Sequence, residues 1–355
     1  MFDSRREFIF GDVRPFAQCH ASALVETPEA SVLAAWFGGT REGESDVGIW
    51  AASRRAAASK KRDGPPGENW EAPRCIAKIS EEPHWNPVLY SLNPNGEELA
   101  LQFKVGSSIR SWVTYLARSF DGGESWHEAQ PLELADHDST RAPAARGGRG
   151  AVRNAPVRLS SGDWLAGAST ETWKRWDAFF DRSADGVKHW RATPLVPLDR
   201  SSFAGKGLIQ PTLWESLPGR VHALFRSTDG RIYRSDSEDD GHSFDAAYPL
   251  DLPNNNSGLD VARLRNGCLA LVCNPVSGNW AERTPLSILF SWDNGKSWPR
   301  RIDLEDEPGE FSYPAIIATG PEGDDLSLTY TWNRRRIAYI SLSADEIPAD
   351  PNERT

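Results

Sequence analysis

The sequence predicts an all-β protein, a six-bladed β-propeller with Asp boxes, and three observations predict it. A Ser-x-Asp-x-Gly-x-x-Trp pattern recurs with its first serine at Ser119, Ser183, Ser237 and Ser291, in steps of 64, 54 and 54 residues, the length of four short strands with turns. Six runs of a polar or small residue, often followed by proline, open into apolar alternation, one per expected blade. No long stretch has the 3.6-residue apolar period of a helix.

Taken in chain order, residues 6–13 are expected to supply the outer strand of the last blade and so close the ring, because no box follows Ile337. The predicted innermost strands are His20-Ala21-Ser22-Ala23-Leu24, Asn86-Pro87-Val88-Leu89, Asn154-Ala155-Pro156-Val157, Gln210-Pro211-Thr212-Leu213, Ser257-Gly258-Leu259-Asp260 and Tyr313-Pro314-Ala315-Ile316. The boxes at Ser119-Phe120-Asp121-Gly122-Gly123-Glu124-Ser125-Trp126 and Ser291-Trp292-Asp293-Asn294-Gly295-Lys296-Ser297-Trp298 are intact. The box at Ser237 ends in Phe244, the one at Ser183 has its glycine at Gly186, and residues 63–70 resemble a stretched relic. Ser and Asp side chains satisfy turn N–H groups, glycine takes positive φ and tryptophan packs, so the boxes are scaffold rather than chemistry. The Pro/Gly-rich stretches 63–67 and 141–150 read as loops, and residues 1–355 as one domain.

Composition narrows the function. With 39% hydrophobic residues and 15 Trp the chain can bury a large aromatic core, and a net charge of -10 argues against nucleic acid as partner. Cys19, Cys75, Cys268 and Cys273 lack metal-ligand spacing and are expected as reduced thiols, and the seven histidines suggest no metal site either. No metal or cofactor is expected. The start carries only the short apolar run Phe8-Ile9-Phe10, which predicts no signal peptide, no membrane span and a cytoplasmic location.

In a propeller the inner strands converge on the axis, so their entry residues face one pocket. Here these are His20, Asn86, Asn154, Gln210, Asn256 or Ser257, and Tyr313, a polar set that requires a ligand or water to satisfy it. The boxes, together with the segments around Arg226, Arg283 and Tyr313, resemble the sialidase superfamily, and the likeness covers nearly the whole chain. Cys19-His20-Ala21-Ser22, Trp36-Phe37-Gly38-Gly39-Thr40-Arg41, Trp85-Asn86-Pro87-Val88-Leu89 and Thr331-Trp332-Asn333-Arg334 are similar to a bacterial branch of sialidase-like proteins.

The resemblance implies an exo-acting glycosidase for a terminal acidic sugar or oligosaccharide. Arg226, in Ala223-Leu224-Phe225-Arg226-Ser227, and Arg283, in Arg283-Thr284-Pro285-Leu286, would hold the carboxylate, with Tyr313 as nucleophile. A neutral tyrosine suits a substrate that carries its own negative charge. Asp46 would be the acid/base residue, with Glu42 and Glu44 as rivals on the same loop; Arg41, Asn86, Asn154, Glu171 and Asn256 would line the sugar site. Trp85, Trp112 and Trp173 are candidate sugar platforms.

Two departures stand out. His20 replaces the family's first clamp arginine, and Gln210 replaces the glutamate that activates the tyrosine; an amide cannot take that proton. Glu171 or Glu215 could supply the missing base, and so could His20, whose ordinary pKa lies near neutrality. A uronate-directed lyase or glycosidase using His20 and Tyr313 as acid and base, and a sugar-binding propeller without catalysis, are the alternatives. Oligomeric state is not specified by the sequence.

Overall fold

Short alternating runs separated by Gly, Asn and Asp turns favour antiparallel hairpins. In the computed structural model, which describes residues 6–28, 31–54, 67–135 and 146–351, they form six four-stranded sheets. β1 (Glu7–Phe8) precedes blade 1, which holds β2 (Gln18–Thr27), β3 (Ser31–Gly39), β4 (Gly48–Ser53) and β5 (Arg74–Ala77). Blade 2 has β6 (His84–Ser91), β7 (Leu99–Val105), β8 (Val113–Ser119) and β9 (Gln130–Pro131). Blade 3 has β10 (Val157–Arg158), β11 (Trp164–Glu171), β12 (Trp176–Ser183) and β13 (Arg191–Ala192). Blade 4 comprises β14 (Leu208–Leu217), β15 (Arg220–Ser227), β16 (Arg231–Ser237) and β17 (Tyr248–Pro253). Blade 5 comprises β18 (Asp260–Arg263), β19 (Leu269–Cys273), β20 (Leu286–Ser291) and β21 (Arg300–Glu305). Blade 6 joins β22 (Phe311–Thr319), β23 (Asp325–Trp332) and β24 (Arg336–Leu342) to β1.

The expected closure is present. Glu7 pairs with Tyr339 and Phe8 with Ala338, so the first strand of the chain is the outer strand of the last blade and no exposed C-terminal edge is left there. The hydrophobic core sits between blades rather than on the axis, in six clusters that each join two neighbours. Leu33 of β3 and Leu101 of β7, for example, share the cluster between blades 1 and 2.

All four boxes sit at the end of a third strand, in the turn toward the fourth. In three of them the serine hydroxyl accepts the glycine N–H, from Gly123, Gly241 and Gly295 at 2.8, 3.0 and 2.9 Å, while the aspartate accepts a later serine N–H at 2.9 Å. Gly123 has φ +94°, and a Cβ there would stand 2.5 Å from Leu33 of the preceding blade, so glycine is required both for the turn and for the packing. The proposed relic begins at residues that lie outside the described set, as do residues 141–145; Trp70 is described, and is buried between blades 6 and 1.

Because strands alternate direction, the turns between second and third strands share a rim with the entry ends of the first strands, while the boxes occupy the opposite rim. The site and the boxes therefore lie at opposite ends of the ring. Among the described residues no helix is long and apolar enough to cross a membrane, and Cys19, Cys75, Cys268 and Cys273 are free thiols.

Candidate active site

The entry ends of the inner strands are bulged. Ladder pairing skips from His20 to Ala23, from Trp85 to Val88, from Ile209 to Thr212 and from Ser312 to Ala315. Within each skip one non-glycine residue takes a left-handed backbone: Ala21 (φ +56°), Asn86 (+43°), Gln210 (+52°) and Tyr313 (+54°). Such a conformation costs on the order of 1–3 kcal/mol per residue and is held only by its surroundings. In three of the four the next residue is proline, which lacks an N–H to pair and so suits a break in the ladder.

These bulges correct the predicted equivalences. Ala21, not His20, is the counterpart of Asn86, Gln210 and Tyr313, and His20 reaches the site from one residue earlier. Asn154 precedes β10, and Asn256 (φ +58°) precedes β18, in irregular lead-ins rather than in strands. All of these except Tyr313, which is half-buried, are buried.

Tyr313 is the centre of the group. Its hydroxyl accepts a hydrogen bond from Arg226 Nη1 at 3.0 Å. Arg226, itself buried, also donates from Nη1 to Gln210 Oε1 at 3.1 Å and from Nε to Asn256 Oδ1 at 2.7 Å. Gln210 thus acts as an acceptor that aims the guanidinium. Arg283 lies 5.6 Å from the Tyr313 ring centroid and donates to Glu310 Oε1 at 2.8 Å and Ser312 Oγ at 3.1 Å. Burial alone would push the Tyr313 phenol up, but the charges of Arg226 and Arg283 and the Arg226 hydrogen bond outweigh it, so the net shift is downward.

His20 packs against the same ring at a centroid separation of 4.3 Å. Its Nδ1 stands 3.0 Å from Thr331 Oγ1, which also accepts the Ala21 N–H at 3.1 Å. Burial holds the imidazole well below its ordinary pKa, and Arg334, Arg283, Arg153 and Arg226 act in the same direction. His20 is therefore neutral at physiological pH and not a replacement for the missing cation, and the same shift weakens it as a proton acceptor. A cation does stand beside it: Arg334 donates to Glu310 Oε1 at 2.8 Å and pairs with Glu42. Arg334 and Arg283 share the Glu310 carboxylate, and Glu42, His20 and Arg334 line one cleft.

A second, narrow cleft is lined by Asn86, Trp112, Glu171 and Gln210. Burial raises the Glu171 carboxyl, against the opposing charges of Arg226 and Lys206. Asn86 donates to Val152 O at 3.3 Å. Asn154 donates to the carbonyls of Gln210 and Pro211 at 3.4 and 3.2 Å, so both asparagines support the backbone of the site.

Other expected residues make their hydrogen bonds outside the Tyr313 group. Asp46 is exposed, and its Oδ2 accepts both the N–H and the hydroxyl of Thr40, at 2.8 and 2.6 Å. The Thr40 hydroxyl bond leads in holding the carboxyl below its usual range, the reverse of what a proton donor needs at neutral pH. Arg41 pairs with Glu44 on the exposed rim. Glu215 accepts from Ser160 and Gly219 five residues along β14 from Gln210, roughly 16 Å away at strand rise. It serves a turn on the opposite rim and is no base for Tyr313. Trp85 donates to Gly106 O at 2.9 Å and packs on Trp112, while Trp173 is 66% exposed on the rim.

Residues that sequence reasoning did not select complete the picture. Arg153 is buried with its guanidinium 5.1 Å from the Tyr313 ring centroid, and Trp280, 62% exposed, lies 5.3 Å from Arg226. Glu310 and Thr331 are the partners noted above. Thr331 and Arg334 stood within a recognisable motif, but Arg153 and Trp280 carried no repeat signal.

Solved structures of this architecture include the following three. The Hadza microbial sialidase Hz136 is 13% identical, with 96% of this chain and 69% of that chain covered at a TM-score of 0.74. A protein of unknown function from Dyadobacter fermentans is 16% identical over 96% of this chain and 98% of its own, at 0.73. The NanB sialidase of Streptococcus pneumoniae is 12% identical over 97% and 71%, at 0.72. At such identities the likeness is one of fold. No curated protein matches the sequence. Residues 30–324 match the BNR repeat-like domain family, and with that span, the boxes and the sialidase-like ring, the chain belongs to that family.

Proposed function

We propose that this propeller is an exo-acting glycoside hydrolase that removes a terminal, carboxylate-bearing sugar. The observation that carries the reading is the 3.0 Å contact from Arg226 to the Tyr313 hydroxyl, in a pocket where the phenol is shifted downward among cations. Arg226 and Arg283 recognise the sugar carboxylate, with Arg334 adding a third positive charge close to the place where His20 stands. Tyr313 attacks the anomeric carbon as the phenolate that Arg226 and Arg283 favour, its proton having left to solvent, and the glycosidic bond breaks toward the leaving-group oxygen. A carboxyl on the loop between β3 and β4 protonates that oxygen and later activates water. Asp46 is bound to Thr40 and Glu42 is paired with Arg334; Glu42, which lines the cleft with His20, is assigned the role. Asn86, Glu171 and Gln210 line the narrow cleft beside it.

The test is a panel of sialosides and uronosides offered to the purified protein and to Tyr313→Phe. Release of an acidic monosaccharide that the variant abolishes supports the reading; an inert wild-type protein across the panel overturns it.

A second reading is favoured by one observation, the neutral imidazole packed at 4.3 Å on the tyrosine ring. On a uronate, His20 would remove the proton next to the carboxylate while Tyr313 protonates the leaving oxygen, giving an unsaturated sugar. Ultraviolet absorbance of the product during cleavage distinguishes elimination from hydrolysis.

A further inference from the structure

A bulge releases backbone groups from the ladder, and a buried carbonyl without a partner costs about 1–3 kcal/mol. In blade 6 the skip leaves Tyr313 and Pro314 outside the pairing with β23. The Pro314 carbonyl is taken by Arg153 Nη2 at 2.6 Å, and the N–H of Ile316, two residues on, donates to Asp260 Oδ2 at 3.0 Å. Arg153 comes from the lead-in of blade 3 and is 1% exposed, so its side chain reaches into blade 6 through the interior of the ring. On the way its Nε lies within 3.7 Å of where a Cβ on Gly258 of blade 5 would stand. That Nε has no acceptor among the described residues. The guanidinium also faces the Tyr313 ring, at 5.1 Å.

The lead-in is itself anchored. Arg149 forms a two-pronged ion pair with Asp181, with Nη2–Oδ1 at 2.6 Å, and Gly150 N–H donates to the same carboxylate at 2.6 Å. Lys104 Nζ donates to Arg149 O at 3.0 Å, and Ala151 N–H to Gln102 Oε1 at 2.8 Å. Four successive anchors fix the chain just before Arg153, and Asn154 next to it supports the Gln210 bulge.

We infer that Arg153 is a positioning residue for Tyr313, bracing the left-handed bulge through the Pro314 carbonyl and supporting the phenolate form across the ring face. This rests on Tyr313 being the reactive group of the proposed function, but its test does not require turnover. Tyr313 is faced by Arg226 from β15, Arg283 from the loop before β20, His20 from β2, Glu42 from the β3–β4 loop and Arg153; only the last is altered. The charges that lower the Tyr313 phenol most are those of Arg226 and Arg283; Arg153, depressed by its own burial and raised by Asp260 and Tyr313, adds its charge to theirs across the ring face.

The experiment is an ultraviolet titration of tyrosinate in the full chain, with the Tyr313→Phe curve subtracted to isolate Tyr313. Arg153→Met is expected to raise the Tyr313 midpoint by about one unit, and Arg153→Lys to restore most of it. Arg153→Gln, which keeps a donor for the Pro314 carbonyl, gives the same upward shift should the Met variant not fold. An unchanged midpoint in a folded neutral variant overturns the inference, whatever the protein's activity. An inert protein with a shifted midpoint removes the proposed hydrolysis and leaves the role of Arg153 standing. Where turnover is present, the neutral variants lower kcat about tenfold at nearly constant KM, with the alkaline rise in rate moved upward; a change in KM alone counts against the inference.

Discussion

The two rims of the ring satisfy their irregular backbone in opposite ways. On the box rim, Ser, Asp and Gly repeat one hydrogen-bond pattern, and the turn carbonyl of each box accepts from a donor on the preceding blade: Arg74 to Glu124, Tyr90 to Gly186, Arg182 to Asp240 and Arg234 to Asn294. On the axial rim no two bulges have the same partner. Thr331 serves Ala21, Asn154 serves Gln210 and Pro211, and Arg153 serves Pro314. Repetition marks what every blade needs in order to pack, whereas residues that occur once mark where the ring was specialised.

The comparison can be broken most decisively at Tyr313. Tyr313→Phe is expected to lower turnover of an acidic glycoside by about 10³-fold or more while leaving the melting temperature nearly unchanged, as measured by initial rates and thermal melts. A large loss of stability with residual activity would place the tyrosine in the scaffold instead.

Next in size is Arg226, buried and bonded to Gln210, Asn256 and Tyr313. Arg226→Met is expected to cost about 2–4 kcal/mol in transition-state binding, roughly 30- to 10³-fold in kcat/KM, because one cation and three directed bonds vanish together. A neutral methyl-ester substrate should lose far less, and equal losses on ester and acid would show that the arginine does not read the carboxylate.

The loop between β3 and β4 tests a finer distinction. Glu42→Gln is expected to reduce kcat by about 10²-fold, and Asp46→Asn by less than tenfold. The reverse order would return the acid role to Asp46.

Smallest are the box effects. Ser119 is fully buried, and Ser119→Ala is expected to lower stability by about 1 kcal/mol in a denaturant titration, with activity per folded molecule intact. Asp121 is held down to about 2, first by the Ser125 hydroxyl and then by the Ser125 N–H and Ser119. Its folded value lies below the ordinary 3.8, so its contribution is present above that pH and fades as pH falls toward 2. Asp121→Asn should flatten that part of the acid-denaturation profile, and an unaltered profile would separate the carboxylate from stability.

Sequence by itself determined the ring: the four boxes, the six apolar runs and the closing role of residues 6–13 all rest on local turn chemistry and alternation, which leave a signal within a few residues. It also marked Arg226, Arg283 and Tyr313, since these sit in motifs next to strands. Only the tertiary structure decided that Ala21 rather than His20 shares the bulge, that Asp46 is bound to Thr40, that Glu215 serves the far rim, and that Arg153 crosses from blade 3 to Tyr313. The reason is physical. A bulge moves register by one residue without a distinctive sequence mark, and a contact such as that between Arg153 and Pro314, 161 positions apart, exists only once the ring has closed.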